Sequence, residues 1–428
     1  MTDEIRKKAE YCLNCKLKPC SKNGCPLNND IPTFIKQLKE EKYEQAYETL
    51  TNTTVLQAIC GRICPHLKQC QGSCVRKIKG EPVEIGELEA FIGDYAIKNN
   101  FKIKEKSGKI NKKIAIVGGG PAGLTCAAFL AKAGAEVTIY EKNNYLGGLL
   151  VYGIPEFRLP KHIVKSTIQK ILDLGIEVKY NKKIGQDITL KELENKYDFV
   201  FLAFGANVSL KMGIEGECLE GVYGANELLE YNCHPKYEGK TVLVNGGGNV
   251  AIDVARTVKR LGAKDVIIVY RREEEQMPAE DKEVEYAKNE GIQFWFKNNI
   301  LKIKGNKKVE KVELIKTKLV QKENETRLSP INVEGTNYEL NVDYVIMALG
   351  SKTEKSVENL GLELTSKGFI KIDENYKTSN PKVYAGGDIT ERKAKTVAFA
   401  ARAGRDVAEN ILENIWLLNY RFLLTYIL

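Results

Sequence analysis

Two stretches of the chain repeat one pattern of apolar and polar positions. Residues 113–142 and 240–272 each begin with a lysine and a short apolar run, which leads into a cluster of glycines. An alanine-rich segment with apolar residues at helical spacing comes next, reaches another glycine, and is followed by a second apolar run. Short β-branched runs predict buried strands, and the periodic segment predicts a helix. The chain therefore contains two β-α-β units, each opening a parallel sheet.

The glycines of the first repeat have mechanical roles that predict a dinucleotide site. Gly118 permits a tight turn, Gly120 lets the backbone approach a pyrophosphate, and Gly123 allows close helix–strand packing. The helix N-terminus then presents free N–H groups to the phosphates. Glu141, at the end of the second run, supplies an acceptor for ribose hydroxyls. The other residues expected to border this site are Pro121, Ala122 and Lys142.

The second repeat, in which Gly246 and Gly248 keep the glycine pattern, differs at its nucleotide-selective end. Arg271 and Arg272 follow its second apolar run, where the first repeat has its glutamate. Two guanidinium groups at that place favour the 2′-phosphate of NADP over the free ribose hydroxyls of NAD. The alternative is a pair of solvated arginines that balance the acidic residues 273–275. The other residues assigned to this site are Asn249, Val250, Ala348 and Gly350.

A third segment, residues 381–411, predicts a strand, a Gly-Gly-Asp turn and a helix. In that turn, Gly387 and Asp388 are assigned to a flavin, with the carboxylate on a ribityl hydroxyl. A helix starting near Thr396 would direct its positive N-terminus at the flavin ring. Together with the two repeats, this segment predicts FAD and NADPH on one chain. The NADPH domain is expected to interrupt the flavin domain, with strand-and-turn segments 196–206 and 342–352 at the two crossings.

Composition and charge then narrow the class of protein. The chain has 428 residues, of which 43% are hydrophobic, which is enough for two to four domains. Its charged start predicts no secretory signal, and the apolar residues 415–428 are too short, and too interrupted by polar residues, for a membrane span. The net charge of +9 is spread over 65 basic and 56 acidic residues, which argues against a nucleic-acid partner. A cytoplasmic protein is expected.

Eight of the eleven cysteines lie within residues 12–74. The first four have the spacing C-x2-C-x4-C-x4-C and the next four C-x3-C-x5-C-x3-C, and a proline follows both Cys25 and Cys64. A reducing compartment disfavours disulfides. A structural zinc site usually draws on two C-x2-C knuckles, and only one exists here. Because Cys-Pro pairs are typical of ferredoxin-like ligand runs, iron–sulfur ligation is favoured, with zinc as the alternative.

The same cysteines are the candidate outlet for the flavin's electrons. Flavoproteins that reduce a disulfide carry a cysteine pair after the first β-α-β unit or in the NADPH domain. Residues 147–161 and 234–428 contain no cysteine, which argues against that activity. With three histidines in the chain, an acid–base mechanism has few groups to use. The chemistry that reduces the final substrate is therefore expected on another chain.

These motifs resemble the small subunit of bacterial glutamate synthase. The resemblance runs from about Cys12 to Asn410 and rests on CLNCKLKPC…CPLNNDIP, CGRICP, IGELEAF, VGGGPAGL, GIPEFRLPK, NGGGNVAID and AGGDI. Related proteins are the electron-input half of dihydropyrimidine dehydrogenase and the large subunit of NADH-dependent ferredoxin–NADP oxidoreductases. The resemblance implies transfer from NADPH through FAD and two [4Fe–4S] clusters to a large partner subunit or to ferredoxin. The non-enzyme alternative is a nucleotide-binding cluster protein with an assembly or regulatory role.

The resemblance also implies which residues hold the cofactors. One cluster would take Cys12, Cys15, Cys20 and Cys74. The other would take Cys25, Cys64, Cys70 and an oxygen of Glu89, which leaves Cys60 as a spare. In the flavin site the resemblance adds Gly147, Gly148, Leu149 and Arg158.

The predicted fold is an α/β chain in which an all-helical iron–sulfur domain precedes two Rossmann-like nucleotide-binding domains. The helical domain is expected over residues 1–108. The split FAD domain is expected over 109–236 and 336–412, with the NADPH domain inserted as 237–335. Residues 413–428 form a hydrophobic tail that departs from the family pattern.

Overall fold

The computed structural model describes residues 2–105, 108–321, 327–391 and 396–427, and the side chains as far as residue 417. The chain is divided into two compact units. The first unit consists of Met1–Val151, Glu156–Ala206 and Lys355–Leu428. The second consists of Tyr152–Pro155 and Asn207–Glu354.

The helices and strands are numbered in chain order. The helices are α1 (Asp3–Glu10), α2 (Ile31–Lys39), α3 (Tyr43–Thr51), α4 (Gln57–Ile63), α5 (Ile85–Lys98), α6 (Pro121–Lys132), α7 (Leu149–Tyr152), α8 (Lys161–Leu172), α9 (Leu190–Lys196), α10 (Ala225–Tyr231), α11 (Asn249–Arg260), α12 (Asp281–Asn289) and α13 (Val397–Ile427). The strands are β1 (Lys113–Val117), β2 (Glu136–Tyr140), β3 (Glu177–Lys179), β4 (Phe199–Leu202), β5 (Val208–Ser209), β6 (Val222–Gly224), β7 (Thr241–Asn245), β8 (Asp265–Tyr270), β9 (Gln293–Phe296), β10 (Asn298–Lys304), β11 (Lys311–Val320), β12 (Ser329–Asn332), β13 (Tyr338–Asn341), β14 (Tyr344–Met347), β15 (Ser351–Lys352) and β16 (Val383–Ala385).

The N-terminal part of the first unit is helical, from α1 to α5. On α2, Phe34, Ile35 and Leu38 are fully buried, and Ala46 and Leu50 on α3 are buried with them. Their spacing of three and four residues places them on one face of each helix. Seven of the eight N-terminal cysteines lie in the connections between these helices, and Cys60 lies on α4. The helical core therefore supports the loops that carry most of the thiols.

The first unit continues into a parallel sheet in the order β16-β4-β1-β2-β3. The β1-α6-β2 unit confirms the first predicted repeat, since its strands pair from Lys113 with Glu136 to Val117 with Tyr140. Strand β16, which belongs to the predicted third segment, returns beside β4. Segments that are far apart in the sequence therefore form one sheet. The carboxyl ends of its parallel strands share one edge, where ligands of such sheets bind.

The second unit contains the other parallel sheet, in the order β6-β14-β7-β8-β9. Its β7-α11-β8 unit confirms the second repeat. Alternate residues of β7 face opposite sides: Val242 and Val244 lie in one buried cluster with α11, and Leu243 lies in another cluster with the antiparallel strands β10 and β11. A strand covered on both faces explains why the sequence reads as an uninterrupted apolar run.

Helix α13 is longer than the helix of the third segment. It begins at Val397, as predicted, and continues through the atypical tail to Ile427. It packs against α6 so tightly that a Cβ at Gly404 would lie 2.0 Å from the carbonyl oxygen of Ala122. Trp416 and Leu417 are 70% and 62% exposed. Within the described ranges, none of the helices combines the length and the apolar character needed to cross a membrane.

Candidate cofactor sites

Four cysteines of the N-terminal helical part line one cavity. They are Cys12, Cys15, Cys20 and Cys74, which is the set that the resemblance implies for one cluster. Most of the remaining wall is apolar and includes Ile31, Ile35 and Val83. Burial raises the pKa of Cys20 to about 11, because the apolar surroundings disfavour a bare thiolate. Thiolates in such a place need a cation to balance them, which fits a bound metal cluster.

Backbone turns bring these four cysteines together. Residues Cys20–Gly24 form one turn of wide, π-type helix in which Cys20 is buried. A Cβ on Gly24 would lie 2.8 Å from the Cα of Cys70, so the two cysteine loops pack backbone to backbone at this point. The loop is also held by Lys18, whose Nζ lies 2.6 Å from Oδ2 of Asp30. At position 24, only glycine allows the two cysteine loops to approach this closely without moving one of them.

The second predicted group, Cys25, Cys64, Cys70 and Glu89, is buried more deeply. Burial, together with the charge of Glu89, raises the pKa of Cys25 to about 12. Burial raises the pKa of Cys70, with the Glu89 and Cys25 charges adding to it. Burial also raises the pKa of Glu89 to about 8, and a hydrogen bond from Asn29 works against that rise. The four groups act on one another electrostatically, as residues sharing a site do.

Cys60, the predicted spare, lies with the second group. It is 1% exposed, and its hydrogen bond with Cys64 is the largest cause that raises the pKa of the Cys64 thiol. The three later cysteines lie elsewhere: Cys126 is buried in α6, and Cys218 and Cys233 are exposed. The side chains that this structure describes include no group of three or more His, Cys, Asp or Glu arranged to hold one metal ion.

The glycine loop after β1 has the geometry that its sequence predicts. Gly118 has φ +101°, and a Cβ there would lie 2.6 Å from the Cα of Phe204. A Cβ on Gly123 would lie 1.9 Å from the carbonyl oxygen of Gly118. At Gly120, by contrast, a Cβ would meet no described atom within 4 Å. Two of the glycines are thus required by packing, while Gly120 borders open space at the start of α6, which fits a pyrophosphate.

Glu141 lies inside this loop and is 4% exposed. Its Oε2 accepts a hydrogen bond from the backbone N–H of Gly119 at 2.8 Å, and its Oε1 accepts one from that of Asn143 at 2.9 Å. The carboxylate therefore stabilises the loop in addition to the ribose contact predicted for it. Each carboxylate oxygen has two lone pairs, so a ribose hydroxyl can still donate to it.

Two other predicted segments meet this loop. The backbone N–H of Gly147 donates to Gly119 O at 2.7 Å, and a Cβ on Gly148 would lie 3.1 Å from the Cα of Gly120. A Cβ on Gly387 would lie 3.2 Å from the Cβ of Ala122. Segments around residues 120, 148 and 387 therefore converge where the sequence analysis places FAD.

The remaining predicted flavin residues lie on the elements that flank this convergence. Thr396 precedes α13, and its carbonyl oxygen accepts from the N–H of Ala400 at 3.0 Å, so it belongs to the first turn. Asp388 lies in the short turn Gly387–Ile389 that follows β16. Leu149 opens α7 and is 37% exposed. Lys142 directly follows Glu141, and Arg158 lies in the connection to α8.

The loop after β7 repeats this geometry in the second unit. Gly246 has φ +149°, and a Cβ there would lie 2.3 Å from the carbonyl oxygen of Ala348. The described atom nearest to a Cβ on Gly248 would be Cγ of Pro278, at 3.9 Å, so this glycine also borders open space. Asn249 is used structurally, because its Oδ1 accepts from the N–H of Glu280 at 3.0 Å. The site fits a second dinucleotide.

Arg271 and Arg272 follow β8 beside two residues that sequence reasoning missed. Burial raises the pKa of Tyr270, and the Arg272 and Arg271 charges lower it, so both guanidinium groups lie near this phenol. Arg327 joins them from a distant part of the chain, with Nη2 2.8 Å from Gln276 O and 3.4 Å from Tyr270 Oη. No local motif identifies Arg327, because it reaches the site only through the folding of β11 and β12.

The neighbouring acidic residues are paired with lysines. Glu273 lies 3.1 Å from Lys297, and Glu274 lies 2.6 Å from Lys288. The alternative interpretation, in which the two arginines balance residues 273–275, is therefore less favoured. Val250 on α11 is 37% exposed, and Gly350 has φ +115° in the turn after β14. These positions complete the set predicted for NADP.

Two dinucleotide-binding β-α-β units, joined to a helical part that carries eight cysteines, define a class of flavin- and pyridine-nucleotide-dependent reductases. The profile of the pyridine nucleotide-disulphide oxidoreductase family matches residues 112–404. The profile described as dihydropyrimidine dehydrogenase domain II, 4Fe-4S cluster, matches residues 1–101. The chain belongs to the pyridine nucleotide-disulphide oxidoreductase family, and it is similar to glutamate synthase small chains over nearly its full length. It is an NADPH-dependent FAD oxidoreductase with a 4Fe–4S module.

Curated relatives show how far the similarity extends. The glutamate synthase [NADPH] small chain of Escherichia coli (strain K12) is 36% identical, over 97% of this chain and 92% of the relative. The same protein of Azospirillum brasilense is 33% identical, over 96% of this chain and 89% of the relative. The NADP(+)-dependent formate dehydrogenase subunit beta of Moorella thermoacetica is 35% identical over 92% of this chain, which spans 59% of that longer protein.

Solved structures show the same fold at lower identity. Mycobacterium tuberculosis FprA in complex with NADPH superposes with a TM-score of 0.65 at 21% identity, covering 73% of this chain and 86% of that chain. Thioredoxin reductase from T. acidophilum superposes with a TM-score of 0.54 at 22% identity, covering 71% of this chain and 99% of that chain. These two likenesses establish the fold of the nucleotide-binding part.

Proposed function

We propose that this chain is the electron-input subunit of an NADPH-dependent glutamate synthase. In this role it oxidises NADPH and delivers the electrons to a large partner subunit that forms glutamate. The observation that carries the proposal is the similarity to the glutamate synthase [NADPH] small chain over 97% of this chain and 92% of that relative. The four-cysteine cavity and the two glycine loops support it, since each fits one of the cofactors that this route needs.

When bound, FAD accepts hydride from NADPH, and two [4Fe–4S] clusters carry single electrons onward. The residues of the chain bind and orient these groups. The loop at Gly118 and Gly120 would hold the FAD pyrophosphate against the start of α6, and Arg271 and Arg272 would hold the 2′-phosphate of NADPH. The proposed cluster ligands are Cys12, Cys15, Cys20 and Cys74 for one cluster, and Cys25, Cys64, Cys70 and Glu89 for the other.

Exposed apolar side chains on the segments that carry the cavity cysteines support a protein partner. Leu13 lines the cavity and is 50% exposed, while Leu17, between Cys15 and Cys20, and Ile78, four residues after Cys74, are 81% and 77% exposed. Exposed apolar side chains close to a functional site are typical of interaction surfaces. The exposed Lys16 and Lys77 flank them. We infer that the large subunit docks here with an apolar surface rimmed by acidic residues, next to the proposed cluster.

The deciding experiment is anaerobic purification followed by reconstitution. Addition of NADPH is expected to bleach the flavin absorbance, and mass spectrometry of a co-purifying protein is expected to identify a glutamate synthase large subunit. The reconstituted pair is expected to form glutamate in an NADPH-dependent reaction. Protein whose flavin is not bleached by NADPH would contradict the proposal and would favour the assembly or regulatory alternative. Protein without iron and sulfide would contradict both.

A pair of surface variants tests the docking patch. The double variant Leu17→Glu with Ile78→Glu is expected to keep NADPH-dependent flavin bleaching and to bind the large subunit at least about tenfold more weakly, since charge is introduced into an apolar contact. Leu261→Glu is a matched control, because Leu261 is 45% exposed but follows α11 in the second unit. Equal partner binding by the double variant and the control would exclude this surface.

A second candidate function is electron input to another acceptor. Two curated relatives favour it: the formate dehydrogenase subunit named above and the NADPH-Fe(3+) oxidoreductase subunit beta of Geobacter sulfurreducens (strain DL-1 / KN400), which is 38% identical over 81% of this chain. This chain spans 59% and 53% of those proteins, so each has further sequence of its own. A pyrimidine-reducing partner or ferredoxin also belongs to this candidate, and the identity of the co-purifying protein distinguishes them all.

We place the reaction in the cytoplasm, without a nucleic-acid partner. Ligation of clusters by the N-terminal cysteines fits a reducing compartment, since an oxidising one favours disulfides. Immunodetection in fractionated cells tests the location, and recovery in an extracytoplasmic fraction would contradict it.

A further inference from the structure

A run of buried hydrogen bonds connects helix α13 with Glu89. Nη1 of Arg405 donates to Leu27 O at 2.7 Å, and its contact with Thr53 O is 3.4 Å long. The Thr53 hydroxyl donates to Oδ1 of Asn29 at 2.7 Å. Nδ2 of Asn29 then donates to Oε1 of Glu89 at 3.1 Å. Asn29, Glu89 and Arg405 are 1%, 5% and 7% exposed, so water does not compete for these groups.

The donors and acceptors that these groups provide determine the direction of the connected hydrogen bonds. A carboxylate only accepts, so Asn29 must present its NH2 group to Glu89 and its carbonyl oxygen to Thr53. In this orientation the Thr53 hydroxyl donates to the carbonyl oxygen of Asn29, and the Glu89 carboxylate, which cannot donate, keeps the amide from turning over. The orientation of Asn29 is thus set by Glu89 and supported by Thr53, and Oε1 of Glu89 is committed to the hydrogen bond.

We propose that Asn29, hydrogen-bonded to Thr53, is a positioning residue that holds the Glu89 carboxylate as the oxygen ligand of a cluster. In this arrangement Arg405 anchors the loops that carry Asn29 and Thr53 to α13. The inference rests on the proposed function, because it needs the cluster. Residues that hydrogen-bond a metal ligand fix its orientation and tune its electron donation. Oε2 of Glu89 is the oxygen assigned to iron.

Arg405 has a role that a surface arginine does not have. Leu27 lies two residues after Cys25, and Thr53 follows α3, so one guanidinium group joins two separate loops. Its own helix begins at Val397, where the sequence analysis places the flavin. Loss of this side chain would leave the buried Leu27 carbonyl without its donor and would destabilise the loop that carries it. The same helix therefore serves the flavin site and the loops that carry Cys25 and Asn29.

Two threonines near the end of α3 provide a matched test. The Thr53 hydroxyl contacts both Asn29 Oδ1 and, at 3.3 Å, Leu50 O, whereas the Thr51 hydroxyl donates to Glu48 O at 2.9 Å. Thr53→Val and Thr51→Val each remove one hydroxyl group, but only Thr53→Val removes the donor to Asn29. Thr53→Ser keeps the donor and serves as the conservative rescue. Asn29→Asp replaces the donor to Glu89 with a second carboxylate and is the stronger variant.

The measurements are made on anaerobically purified full-length protein. They are iron and sulfide content, the midpoint potential of each cluster from an EPR-monitored redox titration, and the rate of iron release to a chelator. A carboxylate that loses its donor gives more electron density to iron, which lowers the potential of that cluster. We expect a lower potential for one cluster in Thr53→Val and a larger change, with about tenfold faster iron release, in Asn29→Asp. Thr51→Val and Thr53→Ser are expected to match the wild-type protein.

The outcomes separate this inference from the function on which it rests. Wild-type protein that contains no iron or sulfide would overturn the proposed function itself. Wild-type protein that holds its clusters, with Thr53→Val and Asn29→Asp both unchanged in potential and iron release, would overturn only the positioning role. Retention of both clusters with wild-type potentials in Glu89→Ala would likewise reject Glu89 as a ligand while leaving the electron route intact.

Discussion

The two β-α-β units share one loop geometry but differ in the side chains that follow the second strand. In each unit the first glycine is pressed against the chain that follows a neighbouring strand: a Cβ would lie 2.7 Å from Ala203 O at Gly118 and 2.3 Å from Ala348 O at Gly246. The middle glycine, Gly120 or Gly248, borders open space in each. The backbone thus provides a general phosphate cradle, and it carries no information about which dinucleotide is bound.

The difference between the units lies in charge and in the third glycine position. Glu141 closes the first loop from inside, with both oxygens on backbone amides. In the second unit, the exposed Arg271 lies beside Arg272 and Arg327 instead. A duplicated fold can therefore bind two different nucleotides, because selectivity depends on a few side chains at the strand end. The following predictions test that comparison, from the largest expected effect to the smallest.

The third glycine position should show the largest contrast. Gly123→Ala places a Cβ 1.9 Å from Gly118 O, so the loop must move. We expect the free energy of unfolding to fall by about 3 kcal/mol and the affinity for FAD to fall roughly a hundredfold. Ala251, the equivalent residue, already has a Cβ at 0% exposure. Ala251→Gly should leave NADPH affinity unchanged and cost about 1 kcal/mol of stability. Flavin absorbance measures FAD retention, NADPH titration measures NADPH affinity, and thermal melts measure the stability of both variants. Retention of FAD by Gly123→Ala equal to that of the wild-type protein would contradict the comparison.

Removal of the two arginines should change nucleotide selectivity. The double variant Arg271→Ala with Arg272→Ala is expected to weaken NADPH binding by about 2 kcal/mol, or roughly thirtyfold, because charge-assisted hydrogen bonds to the 2′-phosphate are lost. NADH affinity should stay close to its wild-type value, and the salt dependence of NADPH binding should decrease. Titration with both nucleotides checks this. Equal weakening for NADPH and NADH would show that the arginines support the fold and not the selectivity.

Glu141 should be the sensitive residue of the first loop. Glu141→Gln leaves one oxygen where there were two, so either Gly119 N–H or Asn143 N–H loses its acceptor. We expect FAD affinity to fall roughly tenfold, for a cost of about 1–2 kcal/mol. Apoprotein titrated with FAD measures the effect. Glu136→Gln is the control, since Glu136 is exposed at the start of β2 and pairs with Lys113 at 3.4 Å.

Arg327 should contribute the smallest effect. Arg327→Gln removes a charge beside Tyr270, and an exposed charge is worth about 0.5–1 kcal/mol, so NADPH should bind roughly two- to fivefold more weakly. Arg260→Gln is the matched control, because Arg260 is in the same unit and its Nη2 pairs with Glu290 at 2.7 Å. Binding of 2′,5′-ADP by calorimetry isolates the phosphate contact. An unchanged affinity would exclude Arg327 from the site.

The sequence alone predicts the parts of this protein that depend on neighbouring residues. Short apolar runs and helical spacing predict both β-α-β units, and the glycine positions predict the loops whose φ values are now seen at Gly118 and Gly246. These features are local, or repeat a local pattern, so periodicity and residue type carry them. The cysteine spacing likewise favours iron–sulfur ligation, but it does not group the cysteines. The set Cys12, Cys15, Cys20 and Cys74, which lines one cavity, is implied by the family resemblance.

Only the tertiary structure decided which distant residues meet. Arg405 and Leu27 are 378 positions apart, and Asn29 and Glu89 are 60 positions apart, yet each pair forms a buried hydrogen bond. Arg327 reaches Tyr270 across 57 positions in the same way. No spacing rule covers such pairs, because the helices and sheets between them determine the separation in space. Buried polar groups must still find partners, and folding supplies partners from wherever the chain returns.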